Sequence, residues 1–304
     1  MVRGEKHMKT KSVRIKKLDH DAVFNTFVHI VMVILIVITA YPLILVVSCS
    51  ISNPKYVMQG DILLFPKELT FNSYLNVIKH DRLITGFKNS IYYTLLATTF
   101  NVILTICAAY PLSRKDWVGR KFFFTLMIIT MFFSGGTIPL YLVVKGLSLT
   151  NKVWAIVLPT AISTYNVIVM RTYFESSVTE ELRESAQIDG CSNIRFLLQI
   201  VLPLSIPILC IITMFYGVEH WNEFYAPLLY LSKRKMYPLQ LVLREILMTA
   251  SATMTEAAGL TEQMYEVEGI KYATIVVSSL PMIIAYPFMQ RYFQKGVMLG
   301  AIKG

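Results

Sequence analysis

The side chains best suited to chemistry lie in one charged segment, residues 176–193, which has apolar runs on both sides. It reads SSVTEELRESAQIDGCSN. Its four carboxylates and one arginine alternate with small and apolar residues, and no histidine stands among them. This mixture suits recognition of another protein by charge and by a helix face rather than catalysis.

The segment carries the signals of a short helix. Ser177 as N-cap with Glu180 three residues later fits a capping box, and Glu180 and Glu181 suit the positive end of a helix dipole. Gly190 supplies a left-handed C-terminal stop. The pattern predicts a helix over about residues 177–190, outside the bilayer.

An apolar stripe runs along this predicted helix. Its members are Val178, Leu182, Ala186 and Ile188. The stripe is too narrow to bury in lipid but suits a shallow groove on a partner protein. A capped amphipathic connector without a partner fits the same residues, so both interpretations stay open at this point.

Enzyme signatures are absent from the sequence. It contains no G-x-x-x-x-G-K-[ST] phosphate loop, no H-E-x-x-H and no G-x-S-x-G. The four cysteines, Cys49, Cys107, Cys191 and Cys210, are scattered without a C-x-x-C pair. We therefore expect no catalytic residue, no metal site and no cofactor bound by this chain.

The composition predicts a membrane protein. Of 304 residues, 55% are hydrophobic and 16% charged, and the mean hydropathy is +0.54, so the surplus apolar surface must face lipid. The net charge of +10 comes from cations clustered between apolar runs. That distribution indicates membrane topology and argues against a nucleic-acid partner.

Crossing the hydrocarbon core takes about 20 apolar residues in an α-helix. The six runs of that kind cover residues 24–47, 90–112, 122–144, 153–173, 196–218 and 273–293. Barrel-type alternation is absent, so an all-α bundle of six transmembrane helices is predicted. Prolines within or beside the runs, at 42, 139, 159, 203, 207, 281 and 287, predict kinks.

Basic residues set the orientation. They are concentrated in an N-terminal arm (residues 1–20), in the second-to-third loop around Arg114–Lys121, and in the C-terminal tail. Under the positive-inside rule these parts are cytoplasmic, as both termini then are, and segment 176–193 joins them by parity. Residues 21–304 form the membrane domain. The outer loops are then residues 48–89, 145–152 and 219–272.

The charged segment also resembles a known signature. With nine residues between its halves, it is similar to the E-A-A-x-x-x-G-(x9)-I-x-L-P motif of permease subunits in binding-protein-dependent ABC importers. The matching residues are Glu184, Ala186, Asp189, Gly190, Ile200, Leu202 and Pro203. Ser185 departs from the motif by standing where a second Ala is usual.

The resemblance implies a type I importer permease fold whose cytoplasmic coupling helix sits in a groove of an ATP-hydrolysing subunit. Glu184, Ala186 and Gly190 would hold the helix–turn geometry against that subunit, and Asp189 would stabilise the turn. The whole implied coupling set is Leu182, Glu184, Ser185, Ala186, Asp189 and Gly190, with Ile200, Leu202 and Pro203 ending the motif.

Further segments extend the resemblance to the sugar-specific branch, in particular to the second permease of maltose- or oligosaccharide-type systems. They lie at residues 133–141, 147–151, 221–228 and 286–304. The implied partners are a second homologous permease, a dimer of ATP-binding subunits that uses ATP and Mg, an extracytoplasmic solute-binding protein and membrane lipid. The implied location is the bacterial cytoplasmic (inner) membrane.

The route of the cargo is less sharply marked. Trp221, Asn222, Phe224 and Tyr225 suit either interfacial anchors or a loop facing the binding protein or the cavity. Polar residues inside the spans could contact sugar hydroxyls or make interhelical bonds; they are His29, Thr98, Thr99, Asn101, Thr105, Ser134 and Asn166. A non-sugar importer permease, an ion-coupled secondary carrier and a cargo-free scaffold are the alternatives.

Overall fold

The computed structural model describes residues 20–256 and 262–301, which form helices joined by turns and loops. No β-strand occurs in them; one isolated bridge joins Ser52 to Leu69. The predicted all-α class is therefore confirmed. The predicted N-terminal arm, residues 1–20, lies outside the described residues except for His20.

The helices follow one another with short connections. In chain order they are α1 His20–Ser50, α2 Pro54–Met58, α3 Asn72–Lys79, α4 Asp81–Ser113, α5 Arg120–Phe132, α6 Thr137–Gly146, α7 Trp154–Val157, α8 Thr164–Ser177, α9 Glu180–Ile188, α10 Asn193–Phe196, α11 Leu202–Leu204, α12 Ile206–Asn222, α13 Tyr225–Tyr230, α14 Leu239–Glu256 and α15 Glu262–Ala301. A π-helical turn, Leu197–Val201, joins α10 to α11, and a 3₁₀ turn, Arg234–Met236, precedes α14.

Among the described helices, three are long and apolar enough to cross a bilayer, and they match the first, second and sixth predicted runs. α4 begins at Asp81, nine residues before the predicted start, because its first turns carry Asp81, Arg82 and Lys88 and so do not look apolar. Its 33 residues span about 50 Å, which exceeds the about 30 Å of hydrocarbon. A helix of this length that crosses a bilayer extends beyond its hydrocarbon core.

The third predicted run is not one helix. α5 and α6 meet at an angle of 114° across the Phe133–Gly136 break. Gly136 has φ +84°, a conformation that residues with a side chain rarely adopt, so the turn depends on glycine. The bend was predicted at Pro139 but lies before it, because Pro139 sits in the first turn of α6, where its missing N–H has no helical partner to lose.

The fourth and fifth runs are broken as well. Residues 158–163, which include Pro159, separate the short α7 from α8. In the fifth run, α10–α11 and α12 meet at 83° beside Ser205. Pro207 cannot donate the next helical hydrogen bond, and the π-helical turn precedes the bend, so both features loosen the helix there.

By length and composition, the described ranges thus contain three helices that are able to cross a membrane, or up to five if each bent pair counts as one span. The six-span count and the cytoplasmic position of both termini stay predictions. Residues 219–272 were expected to form an outer loop, but most of them are helical. They contain α13, α14 and the start of α15. Charged residues exclude α14 and the start of α15 from a search for uncharged runs, and α13, with six residues, is too short for one.

The largest core lies where α4, α8 and α12 pack together. Val167, Met170 and Phe174 of α8 meet Ile212 and Tyr216 of α12 there, all of them fully or almost fully buried. This cluster continues without interruption to residues of the charged segment. By contrast, the most apolar stretch of α1 is unburied, and α1 packs mainly against α15.

Candidate functional site

The segment predicted as a coupling helix is helical over a shorter range than expected. α9 spans Glu180–Ile188, and α8 ends only at Ser177. The capping box on Ser177 was therefore wrong, because Ser177 belongs to the preceding helix and Thr179, with extended backbone (φ −70°, ψ 157°), is the N-cap. Glu180 and Glu181 occupy the first turn, as predicted.

Glu181 is stabilised in its charged form. A hydrogen bond from its own backbone N–H and a second from the Thr179 hydroxyl lower the pKa of its carboxyl. The charge also suits the positive end of α9. Because the folded pKa is lowered, the stabilisation is present above the ordinary carboxyl pKa and is lost as pH falls through the lowered value.

The C-terminal stop at Gly190 is confirmed. Gly190 has φ +74°, its N–H donates to Gln187 O at 3.0 Å, and the Cys191 N–H donates to Ala186 O at 2.9 Å. These two bonds form a Schellman motif, which satisfies carbonyls that the helix end would otherwise leave free. The chain is thereby turned from α9 into α10 at a fixed angle.

The apolar stripe is divided between two surroundings, so the prediction of one stripe facing a partner was wrong. Val178 and Ala186 are buried in the core that α4, α8 and α12 share. Leu182 is 39% exposed and Ile188 87% exposed. The solvent side of α9 also carries Glu184, Ser185 and Asp189. One side of α9 thus belongs to the bundle, and the other is free.

Arg183 fixes α9 to the α4–α5 connection. Its side chain is buried, and its two terminal nitrogens donate to Asp116 and, at 2.9 Å, to Glu180. Burial opposes the charge, but the hydrogen bond with Asp116 and the two carboxylates outweigh it and raise the pKa of Arg183. Arg183 was not among the predicted site residues; its i, i+3 spacing from Glu180 was the available signal.

Arg114 forms a second link beside the first. Its guanidinium lies 5.1 Å from the centre of the Tyr110 ring and 5.9 Å from that of Phe196, and burial lowers its pKa. The Tyr110 hydroxyl donates to Asn193 O at 3.2 Å. The end of α4 is thus joined to α10 through one cation between two rings.

The residues that end the motif lie at the bend of the fifth run. Ile200 and Leu202 pack against the main core, whereas Pro203 is exposed in α11, two residues before the bend at Ser205. Their role is therefore in the packing and direction of the chain after α9.

At the opposite end of α12, the residues that were predicted to form one site differ in their exposure. Trp221 lies within α12, is buried, donates from Nε1 to Ser278 O at 2.9 Å and meets Phe87 edge-on, so it is not part of a loop. Asn222, Phe224 and Tyr225 are exposed there.

A buried polar network crosses the bundle at the break in the fourth run. The Asn101 amide donates to Thr160 O at 3.0 Å and contacts His220 Nε2 at 2.8 Å. Tyr216 OH accepts from Ser163 N–H at 3.0 Å and pairs with Thr105 Oγ1 at 2.8 Å. Backbone groups freed by the break must find partners away from water, and α4 and α12 supply them.

The other polar candidates have varied surroundings. His29 bonds within α1, through Nδ1, to Asn25 O at 2.6 Å and is exposed. Ser134 is exposed in the α5–α6 break, and Asn166 is buried in α8. Thr98 and Thr99 line a cavity of about 370 Å³ between α4, α12 and α15, where the buried hydroxyls of Thr94 and Thr98 have no partner.

Comparison with known proteins gives consistent matches. Residues 83–299 match the family described as "Binding-protein-dependent transport system inner membrane component". Protein LplC of Bacillus subtilis is 37% identical over 88% of this chain and 90% of its own. The polygalacturonan/rhamnogalacturonan transport system permease protein YtcP of the same organism is 34% identical over 93% and 99%.

A solved structure has the same fold. A chain from the crystal structure of a bacterial ABC transporter involved in the import of the acidic polysaccharide alginate superposes with a TM-score of 0.81. It is 30% identical and matches 90% of this chain and 97% of its own length.

Proposed function

The chain belongs to the binding-protein-dependent transport system inner membrane components, and we propose that it is one of two permease subunits of an ATP-driven oligosaccharide importer. The observation that carries this is α9: a short helix with one side in the core, one side free and a Schellman stop at Gly190, at the place of the family's coupling helix. Its free side is offered to a separate ATP-hydrolysing subunit.

Movement of α9 is passed to the membrane helices through fixed contacts. Val178 and Ala186 lie in the core with α8, and Arg183 holds the α4–α5 connection. When the partner ATPase closes on ATP and Mg, a displaced α9 would carry the ends of α4 and α8 with it. The bundle would then shift between inward-open and outward-open arrangements, which is a change of populations driven by binding energy.

The proposed topology places α9 and both termini on the cytoplasmic side of the inner membrane, with six spans and the α4, α12 and α15 cavity facing the cargo route. Threonine hydroxyls in this cavity can hydrogen-bond the hydroxyl groups of a sugar cargo. The exposed Asn222, Phe224 and Tyr225 are then available to an extracytoplasmic binding protein.

Sugar as cargo is supported by the relatives. Polygalacturonan, rhamnogalacturonan and alginate stand in the names of two of them, and all three are carbohydrates. In this assignment the chain translocates cargo but hydrolyses nothing itself.

Reconstitution tests the proposal. The chain is co-expressed with its candidate second permease and ATPase, and the ATPase rate of the purified complex is measured with and without an oligosaccharide-loaded binding protein. We expect a stable complex whose ATPase rate rises with the loaded binding protein. Failure to form a complex with any ATPase subunit would refute the assignment.

A further inference from the structure

A basic pocket lies beside α9, between the α4–α5 connection, the start of α5 and α8. Its volume is about 390 Å³, within the range of small-molecule sites. Its lining, called the basic pocket below, consists of Lys115, Trp117, Val118, Arg120, Lys121, Phe124 and Arg171.

Positive charge dominates this pocket. Arg120 and Arg171 both bind the Glu175 carboxylate, Arg171 at 2.8 Å. Lys115 and Lys121 are exposed, and no ion pair of either occurs in the described part of the chain. Four cations against one carboxylate leave an excess of three positive charges at the pocket.

Carboxylates just outside the pocket do not remove that excess. Asp116 is taken by Arg183, and Glu181 is close enough to Lys115 for the cation to contribute to its lowered pKa but is held mainly by its own backbone and by Thr179. The first turn of α5 also has no side-chain cap, and although the Arg120 N–H donates to Trp117 O at 3.2 Å, the N–H groups of Lys121 and Phe122 remain available to an anion.

Apolar surface adjoins the charge. Trp117 stacks on Phe123 with ring centres 5.3 Å apart, and the Arg171 guanidinium lies 4.2 Å from the centre of the Phe124 ring. Val118, at the tip of the connection, is 99% exposed. On the side of α5 that carries Lys121 and Phe124, apolar surface continues along the helix through the partly buried Ile128 to Phe132, which is 74% exposed.

We propose that the basic pocket binds the phosphate headgroup of an anionic phospholipid of the inner leaflet, whose acyl chains lie along α5. The inference rests on the topology in the proposed function, which puts this end of α5 at the cytoplasmic interface. Charge selects an anion, and the apolar face of α5 selects one that carries hydrocarbon chains. A soluble anion or a docked protein would leave that face without a partner.

Tryptophan quenching tests the proposal on the full chain in lipid nanodiscs. Phosphatidylglycerol or phosphatidylcholine, brominated near the headgroup end of one acyl chain, is added as a minor fraction of a phosphatidylcholine bilayer. Bromine quenches tryptophan at short range, and the Trp117→Phe variant identifies the part of the signal that comes from Trp117. We expect brominated phosphatidylglycerol to quench Trp117 more strongly than brominated phosphatidylcholine.

The pocket is tested by charge removal. Lys115→Gln with Lys121→Gln should lower the apparent affinity for phosphatidylglycerol by about tenfold, since each cation near the surface attracts an anionic lipid. The matched control, Lys145→Gln with Lys152→Gln, removes two exposed lysines elsewhere and should keep the preference. A preference that survives the first pair, equal quenching by both lipids, or no quenching by either overturns the proposal.

Two further arms separate the alternatives. Inorganic phosphate that abolishes the preference, at constant ionic strength, would show a free-phosphate site instead of a lipid site. Selective quenching in a chain that forms no ATPase complex would refute only the proposed function. A coupled complex without lipid selectivity would refute only the lipid site.

Discussion

Arg183 of α9 donates a hydrogen bond to Asp116 across 67 positions of sequence. This contact joins α9 to the connection that leads from α4 to α5. Because Arg183 is buried and Asp116 is half-exposed, the pair combines a fixed anchor with a partner open to solvent. If α9 is the coupling helix, we expect its displacement to reach the end of α4 through this connection.

Asp116→Asn should weaken the contact between Arg183 and the α4–α5 connection. Arg183 keeps only Glu180 as a carboxylate partner, and we expect a loss of about 1 kcal/mol in stability, since Asp116 is partly solvated. The ATPase rate of the complex should respond less to the loaded binding protein. Asp61→Asn, which removes the exposed Lys67 pair, is the control and should change neither the melting temperature nor the rate. Equal effects of the two variants would contradict a role of the Arg183–Asp116 contact in linking α9 to the α4–α5 connection.

Gly190→Val should disrupt the turn after α9. A β-branched residue at φ +74° costs about 1–2 kcal/mol, although no atom lies within 4 Å of the added Cβ. Asparagine tolerates this backbone conformation, so Gly190→Asn should retain most of the activity. Membrane insertion and ATPase assembly are measured for both. If the Gly190→Val variant assembles with the ATPase and couples as well as the Gly190→Asn variant, the Schellman turn is not needed for coupling.

Ile188→Glu should reduce assembly with the ATPase. Ile188 is 87% exposed, and burying a charge in an apolar groove would lower affinity by about tenfold or more. Leu63→Glu, a similar change at an exposed site remote in sequence, serves as the control. Pull-down of the ATPase subunit at graded concentrations provides the measurement. Unaltered capture by the glutamate variant would exclude Ile188 from the interface.

Asn101→Leu should destabilise the bundle. The change leaves Thr160 O without its donor and His220 without its partner, and unsatisfied buried groups cost about 1–3 kcal/mol each. Asn222→Leu makes the same change at an exposed site, where the amide bonds only to its own helix. In detergent, the melting temperature should decrease clearly for the Asn101→Leu variant and not for the Asn222→Leu variant. Equal melting temperatures would show that the network is not important for stability.

Sequence patterns predicted the parts of the fold that depend on local chemistry. Long uncharged runs identified α1, α4 and α15, and Gly190 identified the stop of α9. Charged or amphipathic extensions were missed, as in α14 and the first turns of α4, because a search for uncharged runs excludes them.

The candidate site was predicted only where it depends on local sequence. Helical spacing placed Glu180 and Glu181 in the first turn, but which side of α9 faces the core depends on α8 and α12, which no local pattern contains. Tertiary packing determines the burial of Ala186 and of Trp221 and the contact between Arg183 and Asp116.

Site-specific photo-cross-linking from position 188 tests the central claim most directly. A photoreactive amino acid replaces Ile188, and a second variant carries it at Leu63 as the control. In the assembled complex, we predict a cross-link from position 188 to the ATPase subunit and none from position 63. Cross-links from position 188 to lipid only, or equal labelling of the ATPase from both positions, would contradict the assignment of α9 as the coupling helix.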